Sequence, residues 1–288
     1  MSVKLIFSIV VTAISLKSYP QVNIDSLLSQ LQLSNGIQKV DILNQLTDYY
    51  KLDSTSKAKD LALQASIMAE RLNYKPGIGY SSQNLGYIEY LYGNFNDAIK
   101  YSQKASEIAD NLQDPRLKLR TYEILALTFE ETGENEKSLQ HFQQALELSR
   151  SMENFVGAGL SLLGIGRLYE SMGNNVLSLQ NNQKSFEIFL GLKNDAGVAK
   201  SSIAIAKNYF KLENYDSMSY YYSYAEELIR MQGSKDLLLE LYIDKYQLYS
   251  GSYTDSSIYY IQKAITLSGE LGRAYLKRDL LLKASELY

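Results

Sequence analysis

Small and apolar residues recur along this chain at a fixed interval of 40 positions. Ala65, Ala105, Ala145, Ser185 and Ala225 form one column, and Leu46, Gly86, Ala126, Gly166 and Ala206 form another. Three residues after the second column stand Tyr49, Glu89, Phe129, Tyr169 and Tyr209. Turn positions follow at Asp53, Gly93, Gly133, Gly173 and Glu213, and then Ala58, Ala98, Ser138, Ser178 and Met218. Five columns in register over five copies define a repeated structural unit. A sixth copy carries Tyr246, Tyr249, Ser257 and Ala264. Its second half is displaced by one residue, which places a deletion in its turn.

Each unit reads as two amphipathic helices. Leu85, Ile88 and Tyr92 recur at spacings of three and four, and Gly93-Asn94 breaks that helix. The next runs through Ala98, Ile99, Ala105 and Ile108, and Asp114-Pro115 marks the following boundary. Antiparallel helices approach closely only where the contact residues lack bulk, which explains the small columns. One unit cannot bury both its faces, so the units must stack. Ile24, Leu27, Leu28 and Leu31 share one face, so residues 22–36 are expected to form a short helix covering the first repeat.

The N-terminus departs from this pattern. Lys4 precedes an apolar run over residues 5–16. Such a run rises only about 18 Å as a helix, against about 30 Å of hydrocarbon, so a secretory signal over residues 1–20 fits better than a membrane anchor. Ala13-Ile14-Ser15 satisfies the small-x-small rule but leaves a short apolar core, while cleavage before Gln21 puts Pro20 at the scissile bond. The expected product is exported, to a bacterial periplasm or the medium, with no second run long enough to span a membrane.

Composition narrows the chemistry. The 288 residues include 29 basic and 32 acidic side chains, with no basic run that would attract nucleic acid. There is no cysteine, which excludes thiol catalysis, thiolate metal sites and disulfides, and the single histidine excludes a multi-histidine metal site. No cofactor, metal or catalytic residue is expected.

Asn84-Leu85-Gly86, the turn from Gly93 through Ile99, and Ala105 resemble a tetratricopeptide repeat. So do Gly133 with Phe142 and Ala145, and Gly166-Arg167-Leu168-Tyr169 with Gly173. The resemblance covers roughly residues 39–288, with the 40-residue period of the kinesin-light-chain-like branch rather than the usual 34. Glu89 stands where an aromatic is usual, and Tyr246 where a small residue is usual. The fold implied is all-α, a right-handed superhelical solenoid of antiparallel helix pairs. Residues 39–272 would hold six pairs and residues 273–288 the first helix of an incomplete seventh. Small Ser285 and aromatic Tyr288 fit that seventh copy, and Leu281, Ala284 and Tyr288 would leave an apolar edge open to self-association. A signal segment before such an array resembles the exported sensor region of bacterial two-component histidine kinases. The last helix is then expected either to cap the array or to end a fragment whose output domain lies beyond residue 288, with the fragment favoured.

The resemblance also implies a binding face, lined by the second, fifth, ninth and twelfth positions of each first helix. These are Tyr80, Gln83, Tyr87 and Tyr90; Arg120, Glu123, Leu127 and Glu130; Leu160, Leu163, Arg167 and Glu170; and Lys200, Ile203, Lys207 and Phe210. An exposed tyrosine stripe beside spaced cations suits an extended peptide or protein segment. The chaperone-type carboxylate clamp is not expected, because Gln83/Tyr87 and Glu123/Leu127 do not match its Lys and Asn. Other motifs read as structural. His141 lacks the acidic residue and proline that flank a phosphoacceptor histidine. Gly157, Gly159, Gly164 and Gly166 lack the preceding strand and spacing of a phosphate loop. Adjacent Glu130-Glu131 and Glu226-Glu227 diverge by about 100° on a helix. Twelve of the 25 tyrosines lie between Tyr209 and Tyr260, and Tyr220-Tyr221-Tyr222 must point to different sides of one helix.

Overall fold

The computed structural model describes residues 24–51, 54–250, 254–285 and 287. The expected signal segment, the turn at Asp53 and Tyr288 lie outside the described residues. Fourteen helices and no strand occur among the described residues. They are α1 (Ile24–Leu33), α2 (Gly36–Tyr50), α3 (Thr55–Arg71), α4 (Lys75–Tyr92), α5 (Phe95–Leu112), α6 (Pro115–Glu131), α7 (Asn135–Ser151), α8 (Phe155–Ser171), α9 (Asn175–Gly191), α10 (Asp195–Lys211), α11 (Tyr215–Gln232), α12 (Lys235–Tyr249), α13 (Thr254–Glu270) and α14 (Ala274–Ser285).

The same short turn joins most of these helices. A residue with positive φ ends one helix, and the next residue donates its N–H five positions back, as in Asn94 to Glu89 O and Asn194 to Phe189 O, each at 2.9 Å. That following residue then starts the next helix. Asp114 Oδ1 accepts from the backbone N–H of Arg116 and Leu117, and Asn174, Asn194 and Asn214 cap the N–H three residues on. The left-handed positions recur every 40 residues in two series. One holds Gly93, Gly133, Gly173 and Glu213; the other holds Asn73, Gln113, Glu153, Lys193 and Gly233. The next after Gly233 is Gly272, an interval of 39, so one residue is missing within the sixth repeat.

The chain forms two compact units, the first ending at Leu168 and the second beginning at Tyr169. Each is an all-α helical-repeat solenoid. In unit 1, consecutive helices pack from α1 to α7, and first helices of neighbouring repeats also meet, α2 with α4 and α4 with α6. In unit 2, consecutive helices pack from α9 to α14. The small columns lie inside these contacts: Ala65, Ala105, Ala145, Ser185 and Ala225 are all fully buried. At Gly86 a Cβ would stand 2.6 Å from Ser102 Oγ and 3.3 Å from the Ala98 carbonyl, so this position holds α4 close to α5. Unit 1 has a core of Leu27, Val40, Leu43, Leu46 and Ile78, and unit 2 one of Ile203, Met218, Tyr222, Ile229 and Leu241.

Helix α4 is buried from Gly77 to Leu91 except at half-buried Tyr80, polar Ser81, Ser82, Gln83, Asn84 and Glu89 included. Periodicity alone predicts an amphipathic helix there. It is enclosed because α2, α3, α5 and α6 all pack against it, and an ion pair joins α2 to α6.

Candidate functional site

The inner face of unit 1 is built from α2, α4, α6 and the part of α8 up to Leu168. Asp48 on α2 lies between two cations. Its Oδ1 accepts from Lys51 Nζ at 2.7 Å, and its Oδ2 accepts from Arg120 Nη1 on α6 at 2.9 Å. Burial alone would raise the Asp48 carboxyl, but the two cations outweigh it and hold the group at about 2. Burial lowers the Lys51 ammonium despite Asp48. The Lys51 nitrogen sits 5.0 Å from the centre of the Tyr87 ring. Glu123 faces Arg120 and Lys51, yet no hydrogen bond reaches its carboxylate among the described residues. Burial outweighs those two charges and pushes it up to about 7. Farther along, Arg167 Nε and Nη2 grip Glu130 Oε1 and Oε2 at 2.5 and 2.6 Å. Burial opposes the Arg167 charge, and Glu130 more than compensates, so its pKa rises.

The tyrosine stripe expected on this face is not an exposed one. Tyr87 and Tyr90 are 3% and 0% exposed, and Gln83 is 2%. Tyr90 packs against Tyr87 and Phe95, with ring centres 6.1 and 6.4 Å away. Its hydroxyl and Gln83 Oε1 are buried without a hydrogen-bond partner among the described residues, and burial drives the Tyr90 hydroxyl pKa up. Tyr80 is half-buried and donates to Asp114 Oδ2 at 2.8 Å, so it is tied to the next turn. The physical reason is the enclosure of α4. Leu127, Leu160 and Leu163 are likewise buried. Tyr80, Arg120, Glu123, Glu130 and Arg167 are the expected positions of unit 1 that are only half-buried.

In unit 2, Lys200 and Lys207 on α10 face Glu240 and Asp244 on α12, at 3.9 and 2.6 Å. Burial raises Glu240 to about 7 and Asp244 to about 6, against the pull of Lys200 and Lys207 respectively. Glu170 acts on Asp244 and on the buried Tyr222 hydroxyl, which has no hydrogen-bond partner. Ile203 is buried in the core, and Phe210 packs edge-on against Tyr215.

Four charged residues of these faces were missed from sequence: Asp48, Lys51, Glu240 and Asp244. The repeat columns had been followed only from the second to the fifth unit, and Asp48 and Lys51 sit beside the inner columns rather than in them. The remaining motifs are structural. His141 stacks on Phe129 at 5.6 Å, bonds Gln144 through Nδ1, and is lowered by burial. A Cβ at Gly164 would overlap the Phe142 ring, and Gly157 N–H donates to the Asn154 cap. Tyr222 is buried while Tyr220 is 63% exposed, so the three tyrosines do point apart. On α14, Leu281 is exposed but Ala284 is buried, so the expected apolar edge is narrower. Among the described residues no group of His, Asp and Glu could hold a metal ion, and no helix is long and apolar enough to cross a membrane.

A tetratricopeptide repeat model matches residues 78–151. No curated protein matches the chain. Among solved structures the chain is similar to a Rap protein complexed with competence and sporulation factor, at 15% identity and a TM-score of 0.71, covering 98% of this chain and 85% of that one. It is similar to aspartyl phosphate phosphatase F from Bacillus subtilis, at 14% identity and 0.68, covering 93% and 76%. It also resembles a signal-transduction ATPase with a tetratricopeptide repeat sensor from Pyrococcus horikoshii, at 18% and 0.62, covering 96% and 44%. At these identities the likeness establishes the tetratricopeptide-type fold.

Proposed function

We propose that this chain is a non-catalytic scaffold that binds an extended peptide or protein segment on the inner face of unit 1. The observation that carries this reading is the set of charges at Lys51, Arg120, Glu123 and Arg167, kept mostly from water on one face. Withdrawing charges from water costs stability, and for Glu123 burial outweighs the attraction of Arg120 and Lys51, with no hydrogen-bond donor to it among the described residues. Such groups suit recognition of a polar backbone and charged side chains. The Rap protein seen with competence and sporulation factor supports the reading by fold.

An immobilised array of 12-residue peptides of varied composition tests it. The full chain is expected to retain a subset of peptides, and Lys51→Gln to lose that subset at least tenfold in affinity. Lys104→Gln alters an exposed pair with Glu70 on the second helices and is expected to change nothing. Retention of no peptide, or equal binding by Lys51→Gln, contradicts the proposal.

A second reading makes the chain the sensor portion of a longer signalling protein. It is favoured by the similarity to 44% of the chain of a signal-transduction ATPase with a tetratricopeptide repeat sensor. Coding sequence continuing past Tyr288 into an output domain would support it, and a stop codon there would oppose it. We also propose export, on Lys4 and the apolar run over residues 5–16. N-terminal sequencing of protein from the producing cell tests this: a start within residues 14–22 is expected, and an intact Met1 contradicts it.

A further inference from the structure

The pair formed by Asp48 and Arg120 joins first helices of repeats that are not neighbours. The residues stand 72 positions apart, on α2 and α6, with α4 between them. Tyr80, Gln83 and Tyr87 follow one another along α4 at helical spacing. Arg120's charge acts on the Tyr80 hydroxyl, and Lys51 lies over the Tyr87 ring. Gln83, between those two, therefore lies beneath the bridge, and it is almost wholly buried with its Oε1 unpartnered. One carboxylate with each oxygen on a different cation is also the arrangement a bound carboxylate would take.

We propose that Asp48 fills a carboxylate-accepting site of its own chain and so latches the inner face of unit 1 shut over α4; a segment with an acidic side chain opens it by taking Asp48's place on Lys51 and Arg120. The ligand half of this proposal rests on the inner-face reading above, whereas the latch does not. Among the described residues, Glu123 from α6 and Tyr80 and Tyr87 from α4 also face the bridge. Glu130 and Arg167 hold each other farther along the same face. Asp48→Asn removes the carboxylate charge from between the two cations, and Arg120→Gln opens the bridge from the other side while removing one cation.

The chain contains no cysteine, so one introduced thiol reports access without ambiguity. In the full chain carrying Gln83→Cys, reaction with N-ethylmaleimide is expected to speed at least tenfold on adding either Asp48→Asn or Arg120→Gln. Ser202→Cys, buried in unit 2, is expected to react at one rate in all three backgrounds. An unchanged rate at position 83 overturns the latch, and so does an equal rise at position 202, which would mean general loosening. Hexaglutamate, measured by calorimetry without introduced cysteines, is expected to bind Asp48→Asn at least tenfold more tightly than the parent. Arg120→Gln is expected to gain nothing. Equal affinity in the parent and Asp48→Asn, or no detectable binding to either, overturns the carboxylate assignment. The labelling arm uses no ligand, so a peptide array that finds none leaves its result intact.

Discussion

Protonating Glu123 removes a charge from a face that already holds Asp48, Lys51 and Arg120. Its folded pKa of about 7 lies above the ordinary 4.5, so the folded chain holds that proton more tightly than the unfolded one. The stabilisation is fully present below pH 4.5 and is lost as pH rises through 7. Glu123→Gln should therefore match the parent in urea midpoint at pH 4 and exceed it at pH 8, by about 1–2 kcal/mol after allowance for solvent screening. An unchanged difference across that range would contradict the placement of Glu123. Asp48 has the opposite sign. Held at about 2 against an ordinary 3.8, it stabilises above pH 3.8, and that contribution is lost as pH falls towards 2. Position 197 shows what close packing between helices demands. A Cβ there would overlap the buried Phe189 ring, whereas one at Gly191 meets nothing within 4 Å. Gly197→Ala should cost about 1–3 kcal/mol in thermal unfolding, and Gly191→Ala should be neutral or stabilise by up to about 1 kcal/mol. The small columns were legible in sequence because size alone defines them. The pairing of inner charges was not, because Asp48 lies outside the inner columns and its partner Arg120 stands 72 residues away. For the same reason Tyr87→Ala with Arg167→Ala is a poor test of binding: one residue is core and the other holds Glu130.

Between helices, a positive-φ residue followed by Asn or Asp stops one helix and starts the next. Asn194→Ala should cost about 1 kcal/mol, because its side chain caps the Gly197 N–H at the start of α10. Equal melting of parent and variant would show the cap to be idle. The turns at Gly93, Gly133 and Gly173 were legible because glycine marks a left-handed residue. Those at Gln113, Glu153 and Lys193 were not, because ordinary residues carry no such mark, and only Asp114-Pro115 flagged a boundary. The burial of α4 was also hidden. Its buried face includes Gln83, Asn84 and Glu89, and Glu89 is tolerated because Lys59 pairs with it at 2.7 Å and Asn94 Nδ2 donates to it at 2.6 Å. Hydrogen exchange should be slowest in unit 1 along α4 and fastest along α1, which buries only Leu27. Slower exchange in α1 than in α4 would contradict this packing.

Across the chain, one 40-residue pattern builds two units that differ in the charges on their inner faces. Unit 1 sets Lys51, Arg120 and Arg167 against Asp48, Glu123 and Glu130; unit 2 pairs Lys200 and Lys207 with Glu240 and Asp244. Stacking made the architecture readable, since each repeat must present the same small residues to its neighbour. Recognition carries no such period and so left no column to follow. The proposed ligand lies on the inner face of unit 1. The measurement that tests it most directly is hydrogen exchange of the full chain with and without the peptide that the array retains most tightly. The predicted result is slowed exchange along α2, α4 and α6. Slowing confined to the second helices α3, α5 and α7, with the first helices unchanged, would contradict it.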